Sequence, residues 1–231
     1  MIPRMLVIVP TRGRPENVAR LEQAIKDTRT TRADFLYIVD HDDPEGLAYA
    51  KLELSRMIVL HERLRLGGTL NWAARKYAGL YDAIGFMGDD HLPRTEFWDL
   101  RVLEALDVGA GHVPRVVYGN DLLQGANLPT AVFLHSRIVQ VTGYMNPPDQ
   151  VHLYLDDFWK VLGMELGGLT YLPDVVIEHM HPVAGKADWD DRYAEVNAPA
   201  VDSSDRDAFN RYLNDGRFAD AVDRIRKDYA R

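Results

Sequence analysis

The chain has 231 residues, of which 46% are hydrophobic and 27% charged, and this suits one soluble globular domain or one domain with a small extension. A formal charge of −8 disfavours broad nucleic-acid binding, and the absence of cysteine excludes disulfides and thiolate metal sites and fits a reducing, cytoplasmic setting. The apolar runs are too short to span a bilayer, and a strand-like segment follows Met1 so closely that no room is left for a signal peptide.

Taken in chain order, "MLVIVP" (Met5 to Pro10) is a continuous apolar run, as in a strand buried on both faces. "TRGRP" follows as a loop, with Pro15 placed for a first helical turn and Val18, Leu21 and Ile25 at helical spacing behind it. "DFLYIVD" reads as a second buried strand that ends in the acidic loop "HDDPEG". A helix is predicted from Pro44 to Leu54, and "RMIVLH" reads as a third strand. "GGTLNWAARKYAGLY" reads as a helix entered through two glycines, "AIGFMGDD" as the fourth strand and "TEFWDLRVLEALD" as the next helix. Strand and helix thus alternate over the first 107 residues, which predicts an α/β fold with a mostly parallel sheet and helices on both faces. Ligands of such sheets bind beyond the carboxyl ends of the strands, where "TRGRP", "DHDDP" and "GDDH" all lie.

The second half is less regular. "TAVFLHSRIVQVTGYM" reads as strand then helix, "YLDDFWKVLGMEL" as a helix with acids at its start, and "LTYLPDVVIEHMHP" as one or two strands ending in histidines. From about Ala184 the composition turns polar, and the remainder fits two amphipathic helices separated at Gly216. We therefore expect a domain over residues 1–183 and a helical appendage over 184–231 that packs on it, with helices of a kind that can also form homodimer contacts.

The chemistry-bearing residues gather at the strand ends. Carboxylate and imidazole together suit Mn²⁺ or a similar divalent ion. On an extended segment alternate residues point the same way, so Asp89 and His91 are expected to face one ion while Asp90 faces elsewhere. The same alternation puts His179 and His181 on one side of a later strand, where either could complete that site. A solvated acidic turn and a pair of surface histidines are the plainer readings of the two motifs. Asp156 and Asp157 open a helix; only one of two adjacent acids serves as a cap, which frees the other to accept a proton from a hydroxyl. Arg12 and Arg14 flank Gly13 in a loop suited to phosphate, and Asp40 could accept hydrogen bonds from a base or ribose. "RLGGTLNWAARK" lacks the G-K-[ST] ending of a Walker A loop. Trp72, Trp98 and Trp159 fall in helical patterns and read as core, whereas Trp189 lies in a polar stretch where it could stack on a sugar or base.

The order of "VIVPTRGRPENVARL", "YIVDHDDP", "GGTLNWAARKYAG", "FMGDDH", "YLDDFW" and "EHMHP" resembles the GT-A glycosyltransferases of the family-2 type, over roughly residues 5 to 182. The resemblance implies a GT-A nucleotide-binding fold and a metal-dependent transfer of a sugar from a nucleotide-diphosphate donor to an acceptor hydroxyl. It implies that Pro10, Thr11, Arg12 and Arg14 hold the nucleotide, with Asp40 on the base and Asn71 and Arg75 helping to close the donor site. Asp89 and Asp90 would contact the donor, and "GDDH" would be a D-x-H variant of the family's DxD motif. Asp89, His91 and His181 (or His179) would bind Mn²⁺, or Mg²⁺ in its place, and Lys186 would add positive charge at the diphosphate. Asp157 matches the second acid of the family's Glu-Asp pair, the catalytic base of inverting members, and Asp156 stands where the family has glutamate. The QxxRW motif of processive synthases is absent, and no membrane helix is seen, which argues against a polysaccharide synthase.

Three rival readings are weaker. A two-histidine, one-carboxylate oxygenase built on His41 and Asp43 would be β-rich, against the alternation of the first half. A nucleotidyltransferase would carry a glycine-rich, lysine-bearing loop near its start, which "PTRGRP" matches poorly. A non-catalytic sugar-nucleotide-binding protein would have no use for the acids and histidines together. Acceptors consistent with the sequence are a protein, a glycan, a small molecule or a modified DNA base; the net negative charge disfavours the last.

Overall fold

The computed structural model describes residues 2–108 and 113–230. Eight strands form one sheet in the order β3-β2-β1-β4-β7-β6-β8-β5. They are β1 (Met5–Thr11), β2 (Ala33–Asp40), β3 (Met57–Leu60), β4 (Ala83–Phe86), β5 (His91–Pro93), β6 (Val116–Asn120), β7 (Val132–His135) and β8 (Leu169–His179). β3, β2, β1 and β4 run parallel; β7 is antiparallel to β4 and β6, β8 is parallel to β6, and β5 returns antiparallel along β8.

The apolar runs of β1 and β2 are continuous because both faces of the sheet are covered. Leu6, Ile8, Leu36 and Ile38 feed one core, and Met5, Val7, Phe35 and Tyr37 feed the other, as the two-residue period of a strand requires. On the second face lie α1 (Pro15–Thr28), through Val18, Leu21 and Ile25, and α4 (Trp98–Leu106), through Trp98 and Val102. On the first face lie α3 (Arg65–Tyr77), α5 (Ser136–Thr142) and α6 (Leu155–Glu165). Trp98 and Trp159 are fully buried, and Trp72 is partly buried against the first core.

Two elements differ from the sequence expectation. The helix expected from Pro44 to Leu54 is a single turn, α2 (Gly46–Tyr49). Asp43 takes the N–H groups of Gly13 and Glu45 on its carboxylate, and this local bonding competes with helix propagation. The helix expected to enter through two glycines begins earlier, at Arg65, so that Gly67 lies inside its first turn. A Cβ on Gly67 would come within 2.2 Å of the Gln150 carbonyl oxygen, so the close approach of the 147–154 loop is what requires glycine there.

The C-terminal segment comprises α7 (Asp191–Val196), α8 (Pro199–Asn214) and α9 (Arg217–Tyr229), with the break between the last two at Gly216, φ +94°. Tyr212, Val222, Ile225 and Tyr229 join the first core, so the apolar face of α9 is turned into its own chain. Among the described residues no helix is long and apolar enough to cross a membrane.

Candidate functional site

A cavity of about 680 Å³ opens over the carboxyl ends of β1, β2 and β4 and the end of β8. Pro10, Thr11, Arg12 and Arg14 line it from the β1–α1 loop, and Asp40 lines it from the end of β2, as the strand-end argument predicts. Gly13 turns that loop at φ +68°. Arg12 is drawn to Asp42 at 2.6 Å and Asp40 at 3.2 Å, which hold its guanidinium against the end of β2. Arg14 forms a two-point contact with Asp190, at 2.8 and 2.7 Å, and lies 4.2 Å above the ring of Tyr193.

The "GDDH" motif is a turn rather than an extended run, because the His91 N–H bonds back to the Gly88 carbonyl at 3.1 Å. The alternation expected for Asp89 and His91 therefore does not hold, and the two aspartates exchange their expected places. The buried Asp89 accepts the Thr11 hydroxyl at 2.6 Å and the Asn17 amide at 3.4 Å, with Arg14 at 3.6 Å. Burial, and then the charge of Asp90, push its carboxyl up. Asp90 is the acid that meets the histidines: one oxygen lies 3.3 Å from His91 Nδ1 and the other 3.6 Å from His179 Nε2. Burial works against its ionisation, but the contacts to His179 and His91 outweigh it and hold the carboxyl well below the ordinary range. Burial, and then the charge of His179, lower the His91 imidazole below its ordinary range, against the pull of Asp90.

Strand pairing assembles this group. β5 and β8 place His91 opposite His179, with ring centroids 4.2 Å apart. Ligand atoms of Asp90, His91 and His179 all lie within 4.8 Å of one another. Two ligands that each sit about 2.1 Å from one ion at right angles are about 3 Å apart, close to the Asp90–His91 separation. The nitrogens nearest Asp90 are His91 Nδ1, which also accepts the Gly88 N–H at 3.0 Å, and His179 Nε2; the opposite ring nitrogens, His91 Nε2 and His179 Nδ1, are buried without a hydrogen-bond partner. One carboxylate with two imidazoles fits a borderline divalent ion, and the nitrogen donors favour Mn²⁺ over Mg²⁺. A Cβ on Gly88 would come within 2.6 Å of Asp90 and 2.9 Å of His91, so the cluster requires a glycine there. His181 also lines the cavity, with its ring 5.0 Å from that of His179 and its Nδ1 accepting the Val183 N–H.

Asp156, in the first turn of α6, lines the cavity, whereas Asp157 does not. Successive helical residues point about 100° apart, so only one of two adjacent acids faces the opening. Neither caps the helix; Tyr154, at φ +63°, holds the N-cap position. Burial, and then the neighbouring charge of Asp157, push the Asp156 carboxyl up to about 6.

Three other expected site residues lie away from the cavity. Asn71 is buried and acts as a clamp: its carbonyl oxygen accepts the N–H groups of Met145 and Asn146, and its amide donates to the Asn146 carbonyl. Arg75, one turn later, is exposed and donates to the Asn71 backbone carbonyl, not to the side-chain oxygen of the clamp, at 3.3 Å. Lys186 pairs with Glu178 at 2.9 Å instead of reaching the opening.

Sequence reasoning missed the far wall. Arg63, Arg65, Tyr193, Glu195 and Asn197 line the cavity, the last three from the segment expected to be an appendage. The Tyr193 hydroxyl donates to Asp90 at 2.6 Å. Asp205 of α8, fully buried, accepts the N–H groups of Val151, His152 and Leu153 and so fixes the loop that completes the wall. Trp189 is 61% exposed and packs edge-on against His181 and Tyr193.

The sequence matches no family model, and no curated protein is similar to it in sequence. Solved structures are similar in fold. A mannosyltransferase from Pyrobaculum calidifontis, in complex with GDP-Man and Mn²⁺, superposes with a TM-score of 0.62 at 14% identity, over 97% of this chain and 74% of that one. Residues 1–349 of S. aureus TarS, in complex with UDP, give 0.57 at 13% identity, over 91% and 72%. Glucosyl-3-phosphoglycerate synthase from Mycobacterium tuberculosis, in complex with Mn²⁺, UDP-glucose and phosphoglyceric acid, gives 0.59 at 11% identity, over 89% and 79%. The shared architecture is the GT-A fold that the motif order implies.

Proposed function

We propose that the protein is a metal-dependent glycosyltransferase that moves a sugar from a nucleotide-diphosphate donor to an acceptor hydroxyl, with inversion at the sugar carbon. The observation that carries this reading is the grouping of Asp90, His91 and His179 in the same cavity as the Pro10–Arg14 loop and Asp156, on a GT-A sheet. The loop and Asp40 take the nucleotide, with Arg12 and Arg14 beside its phosphates. Asp90, His91 and His179 would hold the ion, which would supply positive charge against the negative charge of the departing diphosphate. Asp89, bound to Thr11 and Arg14, orients the loop against that site.

Asp156 takes the proton from the attacking hydroxyl, a role suited to a carboxyl whose environment raises its pKa to about 6. We assign the base to Asp156 in place of Asp157 because it is the acid that lines the cavity. Thermal shift with UDP, GDP, CDP and dTDP, each with Mn²⁺ or EDTA, tests the reading. A ligand that binds only the native state raises stability. The expected result is a metal-dependent shift with at least one nucleotide, lost in Asp90→Asn and in His179→Ala. No shift with any of them would refute the donor site.

A further inference from the structure

The cavity carries a second constellation that the transfer reading leaves unused. Arg63, in the loop after β3, donates from Nη2 to Oε1 of Glu195 at 2.9 Å, and Arg65 at the start of α3 donates from Nη1 to the same oxygen. All three residues line the cavity. An ordinary surface ion pair matches one cation to one anion; here two guanidinium groups converge on a single carboxylate oxygen that comes from 130 residues further along the chain. Arg65 is held at φ +60°, a region disfavoured for a residue with a Cβ. α3, 13 residues long, begins there without a side-chain cap, so the positive end of its dipole adds to the two arginines. Arg63 Nε is buried without a hydrogen-bond partner and lies 3.9 Å from the Asp40 carboxylate.

We propose that Arg63 and Arg65 form a seat for a phosphate group of a substrate, and that Glu195 fills that seat in the free protein as an internal stand-in which the substrate displaces. Two guanidinium groups match the several oxygens of a phosphate better than they match one carboxylate oxygen. Glu195 lies two residues from Tyr193, whose hydroxyl donates to Asp90, so one short segment touches both the seat and the histidine cluster. The inference rests on the transferase reading for its location, and the phosphate has two possible sources: the diphosphate of the donor, or a phosphate on the acceptor.

Calorimetric titration of the full chain separates these sources with three probes: UDP or GDP with Mn²⁺, glycerol 3-phosphate, and glycerol as the phosphate-free control. Glu195→Gln removes the competing charge at constant size and is expected to tighten the phosphate-bearing probe about tenfold, while Arg63→Ala and Arg65→Ala weaken it by about tenfold. A gain confined to the nucleoside diphosphate supports the seat and assigns it to the donor. A gain confined to glycerol 3-phosphate supports it and assigns it to the acceptor. Affinities unchanged in all three variants, or no binding of either phosphate probe to Glu195→Gln, overturn the proposal. Failure of the transferase reading has a different signature: no Mn²⁺-dependent nucleotide binding by the parent chain, whatever glycerol 3-phosphate does.

Discussion

The strands under the cavity and the strap across it are built by different forces. β1 and β2 place Met5 to Val9 and Phe35 to Val39 out of water almost completely, and the cavity floor stands on their ends. The strap, residues 190 to 197, is held by Arg14 on Asp190 at 2.7 Å, by Arg63 on Glu195 at 2.9 Å and by Tyr193 on Asp90 at 2.6 Å. Apolar burial is strong and nearly indifferent to salt, whereas partly exposed ion pairs contribute little and are screened. Salt is therefore expected to weaken the Arg14–Asp190 and Arg63–Glu195 pairs of the strap while leaving the apolar floor unchanged.

The largest expected effects lie outside the strap, in the first turn of α6 and in the core. Asp156→Asn is expected to lower the transfer rate by about 10²–10⁴-fold, with Asp157→Asn much milder. Steady-state release of nucleoside diphosphate checks the ranking, and the reverse order would move the base to Asp157. Ile225→Ala opens a hole in the core beneath the sheet and is expected to cost about 2–5 kcal/mol in denaturant unfolding, because the residue is fully buried. Equal losses from Ile225→Ala and from Glu195→Ala would erase the distinction between anchored core and ionic strap.

A smaller effect comes from pH. The Asp156 carboxyl is raised in the folded state to about 6, so the native protein binds more protons than the unfolded chain between the ordinary carboxylate range and that value. Stability falls as pH rises through this window, and the penalty persists above it. Asp156→Asn removes the penalty and is expected to be more stable than the parent by about 1–3 kcal/mol at pH 8, with no advantage near pH 4. Melting curves at the two pH values decide it. The smallest expected effect is salt: hydrogen exchange over residues 190–197 is expected to quicken between ~0.1 and ~1 M NaCl, by up to about 1 kcal/mol of local stability, with β1 unchanged.

Much of the scaffold was legible in residue order. The alternation from Met5 to Leu106 placed β1 to β4 with α1, α3 and α4, though the helix expected between β2 and β3 is a single turn, and the break at Gly216 separated α8 from α9. The strand-end rule marked Pro10 to Arg14, Asp40 and the "GDDH" motif, all of which line the cavity in whole or part. What went astray has local causes. Strand alternation predicts Asp89 beside His91, but the Gly88–His91 turn rotates the segment and brings Asp90 there instead. Asn71 and Arg75 belong to a helix that lines the cavity through Arg65, Leu66 and Thr69, and their own positions along it lie away from the opening. β5 is three residues long, and such a run has no period to read.

The sequence by itself determined the α/β class, the doubly covered strands and the kinds of side chain at their ends, because burial on two faces and helical spacing leave a periodic trace within a few residues. Only the tertiary structure decided which of those side chains meet. The antiparallel register of β5 on β8 sets His91 against His179. The helical phase of α6 turns Asp156 and not Asp157 to the cavity. The return of the C-terminal segment brings Tyr193 to Asp90 and Glu195 to Arg63 and Arg65. Register, helical phase and chain return are set by contacts between residues far apart in the sequence, and a local pattern carries no record of them.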